Sequence, residues 1–187
     1  GHKLQQYNRL LFCDSKKRIW AGGEMGISVF NQVGTSLLPN TDFQIASVLK
    51  QAFVNCFYET SSGYLWIGTR NGLFALKESD KQFLQYTTEN GLPSNVIYGI
   101  LEDAYGRLWI STNQGLSCLN PESGKFRNFT IMDGLQGNQF NAGAYCRKDN
   151  GYMLFGGVNG ITSFRPETLI DNPYAPKPVI NKLFVHN

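Results

Sequence analysis

The sequence predicts an all-β protein, a β-propeller fragment of about four blades with four antiparallel strands per blade and the last blade incomplete. Three observations lead there: a fourfold internal repeat, a strand-and-turn pattern inside each copy, and strands that are apolar on both faces. Residues 63–76, GYLWIGTRNGLFAL, recur as GRLWISTNQGLSCL at 106–119 and as GYMLFGGVNGITSF at 151–164. A more divergent copy, KRIWAGGEMGISVF, occupies 17–30. Anchored on Trp20, Trp66, Trp109 and the equivalent Leu154, the copies are 46, 43 and 45 residues apart. A period of that length belongs to propeller blades among other repeat classes.

Within a copy, short runs of aromatic and β-branched residues are broken by Gly, Asn and Asp, which is the pattern of strands joined by tight turns. The clearest copy predicts strands at 95–102, 107–111, 116–120 and 125–130, with turns at 103–106, 113–115 and 121–124. No helix is required. Gly26, Gly72, Gly115 and Gly160 each fall six residues after the anchor, at a turn where a residue without a side chain takes positive φ at little cost. Four antiparallel strands in such a span make one blade.

The third strands place Ile27 and Val29, Leu73 and Ala75, Leu116 and Cys118, and Ile161 and Ser163 on one face, with Phe30, Leu76, Leu119 and Phe164 on the other. A sheet apolar on both faces must be covered on both, which radial stacking of blades achieves. The anchors Trp20, Trp66, Trp109 and Leu154 therefore read as packing between blades rather than as ligand-stacking groups. Blade limits are expected at about 6–50, 51–93, 94–138 and 139–170, followed at 171–187 by a Pro-rich exit and the first strand of a truncated following domain.

The ends carry their own signal. A first strand is expected at 7–13, almost at the start of the chain. Phe83 and Phe126 lie 17 residues beyond their anchors in the outer strand, but the matching position in the last copy is Asp171, in a run that holds Pro166, Pro173, Pro176 and Pro178. Proline cannot donate to a sheet ladder, so the fourth strand of the last blade is expected to be missing. VINKLFVHN, from Val179 onward, reads as a lone strand of a following domain. The expectation is a piece of a longer polypeptide, with exposed blade edges that favour self-association.

Composition excludes several function classes. The 187 residues are 42% hydrophobic and 17% charged, and 17 basic against 14 acidic side chains leave a formal charge of +3. The two signs are interleaved, without the basic footprint of a nucleic-acid binder. No apolar stretch has the length of a membrane span or the form of a signal peptide, so any membrane attachment lies outside this segment. The two histidines, His2 and His186, stand at the ends, which leaves no imidazole for a Ser-His-Asp, Cys-His or histidine-zinc site in the body of the chain. Cys13, Cys56, Cys118 and Cys146 form no CxxC pair, and each sits in a hydrophobic run, where a thiol behaves as a small buried apolar group. No metal and no cofactor are expected.

The repeat resembles the two-component regulator propeller repeat. Leu65 to Thr69 supply its Leu-Trp-Ile-Gly-Thr core, Gly72-Leu73 its Gly-Leu pair, and Gly91 to Asn95 its Gly-Leu-Pro-Ser-Asn link to the next blade. The third copy has Ser111 for the core glycine and a weakened link, Gly134-Leu135 followed by Gln136-Gly137-Asn138. The first copy departs most, with Ala21 and Gly23 in the core. The fourth, with its proline-rich exit, is similar to the final blade before the three-tyrosine, immunoglobulin-like domain of that family.

The resemblance implies the periplasmic sensor region of a hybrid two-component system: two seven-bladed propellers, an immunoglobulin-like domain, a transmembrane helix, a histidine kinase and response-regulator parts. Such proteins, typical of gut bacteria, detect oligosaccharides released from complex glycans. The chain would then supply the last four blades of the second propeller, without kinase or DNA-binding parts. Its partners would be the remaining blades, the immunoglobulin-like domain and an oligosaccharide, with membrane contact only through the parent chain.

Within that reading, Arg70, Asn71, Asn113 and Gln114 are the candidate ligand-binding residues. They occupy turn positions that differ among the copies, where the others carry Glu24-Met25 and Val158-Asn159, and loops on a rigid frame are where binding groups usually lie. Exposed turn residues without a ligand role fit the same pattern. Two other functions stay open. A propeller-type glycan-active enzyme would need paired carboxylates, for which Glu59, Glu102 and Asp103 are available, although they read as ordinary solvated or turn-forming acids at strand ends. A purely structural or dimerisation scaffold would need no ligand at all.

Overall fold

The alternation of apolar runs with glycine turns folds into four antiparallel meanders, seen in a computed structural model that describes residues 8–40, 47–77 and 82–169. Fifteen strands lie among the described residues. The first sheet holds β1 (Asn8–Cys13), β2 (Arg18–Gly23), β3 (Gly26–Val33) and β4 (Ser36–Pro39). The second holds β5 (Val54–Glu59), β6 (Leu65–Thr69), β7 (Gly72–Lys77) and β8 (Gln82–Tyr86), and the third β9 (Ile97–Glu102), β10 (Leu108–Thr112), β11 (Gly115–Asn120) and β12 (Lys125–Phe129). The fourth has three strands, β13 (Phe140–Arg147), β14 (Met153–Gly157) and β15 (Gly160–Phe164). The expected exit and following strand at 171–187 lie outside the described residues.

The expected strand limits shift by one or two residues for local reasons. The third copy's first strand begins at Ile97 because Ser94 turns the chain, its hydroxyl accepting from the Val96 N–H at 3.1 Å. Its last strand ends at Phe129 because Thr130 leaves the ladder to cap a short 3₁₀ turn at Ile131–Asp133. Three more such turns, Ser47–Lys50, Thr88–Asn90 and Pro166–Thr168, join or follow the sheets. They are the helical structure that the sequence reading did not require.

The sheets stand face to face, with the first strands β1, β5, β9 and β13 neighbouring one another. Side chains that alternate along each strand therefore enter two different cores. In β6, Leu65 and Ile67 join Trp20, Ile27 and Val29 of the first sheet, whereas Trp66 joins Ile97, Ile100, Leu108 and Ile110 of the third. Trp109 repeats the arrangement one blade on, in a cluster with Phe140, Met153 and Phe155, its ring 4.6 Å from that of Phe164. Trp20, Trp66 and Trp109 are at most 1% exposed.

Core glycines let neighbouring sheets meet. A Cβ on Gly68 would lie 2.7 Å from Ile97 Cγ2 of the third sheet and run into the Cys56 thiol, and one on Gly22 would lie 2.8 Å from the Phe57 ring of the second. At the end sheets the same alternation leaves apolar side chains uncovered. Leu11 is 72% exposed and Ile161 66%, and Leu154, the fourth anchor, is half-buried.

This corrects the reading of the cysteines as uniformly buried. Cys56 and Cys118 are buried between sheets, whereas Cys13 and Cys146 are exposed, because their strands belong to the two end sheets. Burial pushes the Cys56 thiol up to about 12 and the Cys118 thiol to about 11, which keeps both protonated and unreactive.

Trp109→Ala should cost about 3–5 kcal/mol, the range for emptying a packed aromatic site. Leu154→Ala, on the uncovered face, should cost less than half as much. Urea unfolding followed by tryptophan-independent far-UV circular dichroism measures both; equal losses would contradict packing between sheets as the anchors' role.

Candidate functional site

The turns between second and third strands and the links between blades share one end of the sheets. Their geometry starts from threonine. Thr69 Oγ1 donates to the Gly72 carbonyl at 2.8 Å and accepts from the Asn71 N–H at 2.9 Å, closing the β6–β7 turn. Thr112 does the same for the β10–β11 turn through Gly115 and Gln114. The turn glycines Gly72 and Gly115 have φ of 116° and 110°. Each turn is then tied to the following link, Gly72 N–H donating to the Asn95 carbonyl at 2.8 Å and Gly115 N–H to that of Asn138 at 2.6 Å.

The links are equally built. Thr87 and Asn90 form a capping box that ends at Gly91, and Thr130 with Asp133 forms the same box ending at Gly134. Leu92 and Leu135, next in sequence, are buried plugs in the cores between sheets. Asn95 and Asn138 close the loops by accepting from the Thr88 and Ile131 N–H groups at 2.9 and 2.8 Å. The weakened third link thus keeps the capping box and the asparagine closure of the stronger one, and loses the Ser94 bond because Gly137 stands in its place.

On this frame the four candidate binding residues share an end. Arg70 is exposed and lies 3.7 Å over the Phe53 ring, while its backbone N–H donates to the Phe53 carbonyl. Asn71 and Gln114 are exposed, and their backbones rather than their side chains serve the turns. Asn113 is half-buried, and its side-chain oxygen is buried without a hydrogen-bond partner. Three of the four side chains therefore face solvent from turns held by backbone and threonine bonds.

The opposite end holds Asp14, Glu59, Glu102 and Asp103. Asp14 accepts from Arg18 Nε at 2.6 Å and from the Trp20 indole at 2.8 Å, and Asp103 accepts from Arg107 Nε at 2.7 Å and the Trp109 indole at 3.0 Å. Glu59 accepts from the N–H and hydroxyl of Ser15, both at 2.7 Å, and Glu102 from those of Ser61, both at 3.1 Å. Each glutamate so latches its blade to the preceding one. Between the third and fourth blades the pair becomes Ala104 and Arg147, and Arg147 Nη1 instead donates to the Glu102 carbonyl at 3.0 Å.

Of the two expectations for these acids, solvated or turn-forming, Asp103 meets the second, accepting from the Tyr105 and Arg107 N–H groups at 2.9 Å each. The first is corrected for Glu102 and Asp103, which are 8% and 4% exposed, and both Glu59 and Glu102 tie blades together. The sequence carried a signal for the latch, Ser five residues and Glu seven residues before consecutive anchors. A shallow cleft of about 220 Å³ between the first two blades at this end is lined by Asp14, Arg18, Glu59 and Lys77 among others. Among the described residues no group of three or more His, Cys, Asp or Glu side chains is placed to hold a metal. No helix among them is long and apolar enough to cross a membrane.

Comparison with known proteins places these features. A family model described as two component regulator propeller matches residues 49–71 and 91–114. Histidine kinase P4 of Formosa agariphila is 31% identical over 185 residues, which is 96% of this chain and 13% of that protein. The extracellular domain of the hybrid two component system BT3049 from B. thetaiotaomicron superposes with a TM-score of 0.74 at 25% identity, covering 89% of this chain and 23% of that one. A virginiamycin B lyase from Staphylococcus aureus shares the fold, at 18% identity and a TM-score of 0.58, over 84% of this chain and 55% of its own. The chain thus spans less than a quarter of the two-component relatives it matches.

Burial alone would raise the Asp14 pKa, but the bonds from Trp20 and from the Arg18 backbone and guanidinium outweigh it and hold the carboxyl below its usual value. A depressed folded-state pKa adds stability above the unfolded value of about 3.9 and loses it as pH falls through the folded one. Asp14→Asn should therefore lower stability at pH 7 and flatten its decline below about pH 4, as measured by urea midpoints across pH. Glu102→Ala should cost about 1–3 kcal/mol, as expected for a lost charged hydrogen-bond partner, and Glu102→Gln less.

Proposed function

Since the chain carries two-component regulator propeller repeats, we propose that it is part of the extracytoplasmic, periplasmic sensor region of a hybrid two-component system. In this reading its turn-and-link end contacts an oligosaccharide released from a glycan, and the signal passes to a kinase elsewhere in the parent chain. The observation that carries the reading is the division of labour between the two ends. At one end the carboxylates of Asp14, Glu59, Glu102 and Asp103 are occupied by Arg, Trp and Ser partners from the same or the neighbouring blade. At the other, Asn71 and Gln114 expose side chains that make none of the turn's hydrogen bonds, and Arg70 presents an exposed guanidinium stacked on Phe53. Amides and guanidinium groups donate to and accept from hydroxyls in the way a sugar requires.

The likeness to extracellular domains of two-component systems supports a location outside the cytoplasm. The occupied state of Glu59, Glu102 and Asp103 favours binding over hydrolysis, which needs two carboxylates facing one sugar. Such a domain would act by binding ligand differently in two states of the receptor.

The test replaces Arg70, Asn71, Asn113 and Gln114 with Ala together. Ligand-dependent kinase output in the parent protein should fall by about tenfold or more, as expected for several lost hydrogen bonds. The unfolding midpoint of the domain should stay nearly unchanged. Undiminished output from the fourfold variant would remove these residues from the binding role.

A further inference from the structure

The fourth blade departs from the other three at one place that neither packing nor the repeat requires. The first strands of the first three sheets each carry a one-residue irregularity opposite the second strand, for example between Val54 and Cys56 facing Thr69 and Gly68. In β13 the paired residues are Phe140 with Gly157 and then Tyr145 with Phe155, so three extra residues bulge from the strand. Bulges of this kind re-aim side chains and concentrate next to binding sites.

The bulge stands between two aromatic posts, Phe140 buried and Tyr145 half-buried. Phe140 is 1% exposed and packs edge-on against Phe155 at 6.2 Å, and Tyr145 fills the space over Gly99 of the third blade. Between them Asn141, Ala142 and Gly143 are exposed. The bulge lies at the turn-and-link end, because its base adjoins Gly157 and the Val158 N–H donates to the Gln139 carbonyl at 3.2 Å.

Around it the chemistry is that of neutral amides. Gln139, Asn141 and Asn159 are exposed, and the neighbouring turn of the third blade adds Asn113 and Gln114. Gln136 is built into this surface, its side-chain oxygen accepting from the Asn159 N–H at 2.8 Å and its Nε2 donating to the Gln139 carbonyl at 3.3 Å. Asp133, the one charged residue in the link, is spent on the Thr130 cap at 2.8 Å. The first two blades differ at this end, with Arg9 paired to Glu24, and with Lys50 and Arg70 exposed.

Resting on the oligosaccharide-sensing reading, we propose that the bulge and the amides Gln139, Asn141 and Asn159 form a binding surface for an uncharged, hydroxyl-rich saccharide. Each amide offers a donor and an acceptor to vicinal hydroxyls, and a surface without net charge gives no attraction to carboxylates or sulfates that would compensate their desolvation. The two packed aromatic posts hold the backbone in place before binding, which lowers the ordering cost.

The experiment titrates the intact protein that carries this chain, by calorimetry, with hexasaccharides of glucose, xylose and mannose as neutral probes and with hexagalacturonate as the acidic probe. Two variants test the surface: Gln139→Ala with Asn141→Ala, and deletion of Ala142 and Gly143, which returns the strand to a one-residue irregularity. Lys125→Ala, at the opposite end, is the control, and circular dichroism verifies folding of each. The expected result is binding of a neutral probe that weakens by about tenfold in the double variant and is unchanged in the control. Neutral binding that the double variant leaves intact, or binding of hexagalacturonate alone, overturns this proposal while the sensing reading stands. Binding of no saccharide at all overturns both. Should the deletion variant misfold, the double alanine variant, which alters no backbone, decides the matter.

Discussion

Every sheet in this protein is apolar on two sides, and the rest of the structure follows from the need to cover both. Water excluded from both faces of a sheet is favourable only if another sheet occupies each of them. Trp66 makes the constraint concrete: its indole enters the core shared with the third blade, while Leu65 and Ile67 on either side enter the core shared with the first. A blade is thus half of two cores. The uncovered Leu11, Leu154 and Ile161 at the end sheets are the same constraint left unmet within the described residues.

Covering the faces leaves the polar work to the two ends, and the ends divide it. At one, carboxylates fasten neighbouring blades through serine and clamp the Trp20 and Trp109 indoles through the Asp–Arg pairs. A buried carboxylate that accepts several hydrogen bonds is a structural part, because freeing it for chemistry would leave Trp and Ser donors unsatisfied. At the other end the backbone and two threonines close the turns between second and third strands, so the Asn71 and Gln114 side chains carry none of those bonds. Variation among the copies is tolerated at that end for the same reason.

Much of this was legible in the sequence. The period, the strand-turn grammar and the two-faced strands led to four blades with an incomplete last sheet, and the Leu-Trp-Ile-Gly-Thr core pointed to the family. Less legible were the acids and the cysteines. Glu102 looks like any acid before a turn, and only the approach of Ser61 from 41 residues away turns it into a latch. Cys146 lies in a hydrophobic run like Cys56, yet its exposure is decided by whether a further sheet stands beside its strand. The insertion in the fourth blade was visible as a spacing of 45 rather than 43, but a spacing does not say where extra residues go.

The sequence by itself determined the repeat unit and the alternation within it, because side-chain direction along a strand is a local property with a period of two. It also determined the turns, since threonine, asparagine and glycine close them within a few residues. What only the tertiary structure decided is which groups meet across blades: the Ser–Glu latches, the indole seats, and the bulge raised between Phe140 and Tyr145. Those depend on the distance between segments some 45 residues apart in the chain, and nothing in the local pattern of one copy contains it.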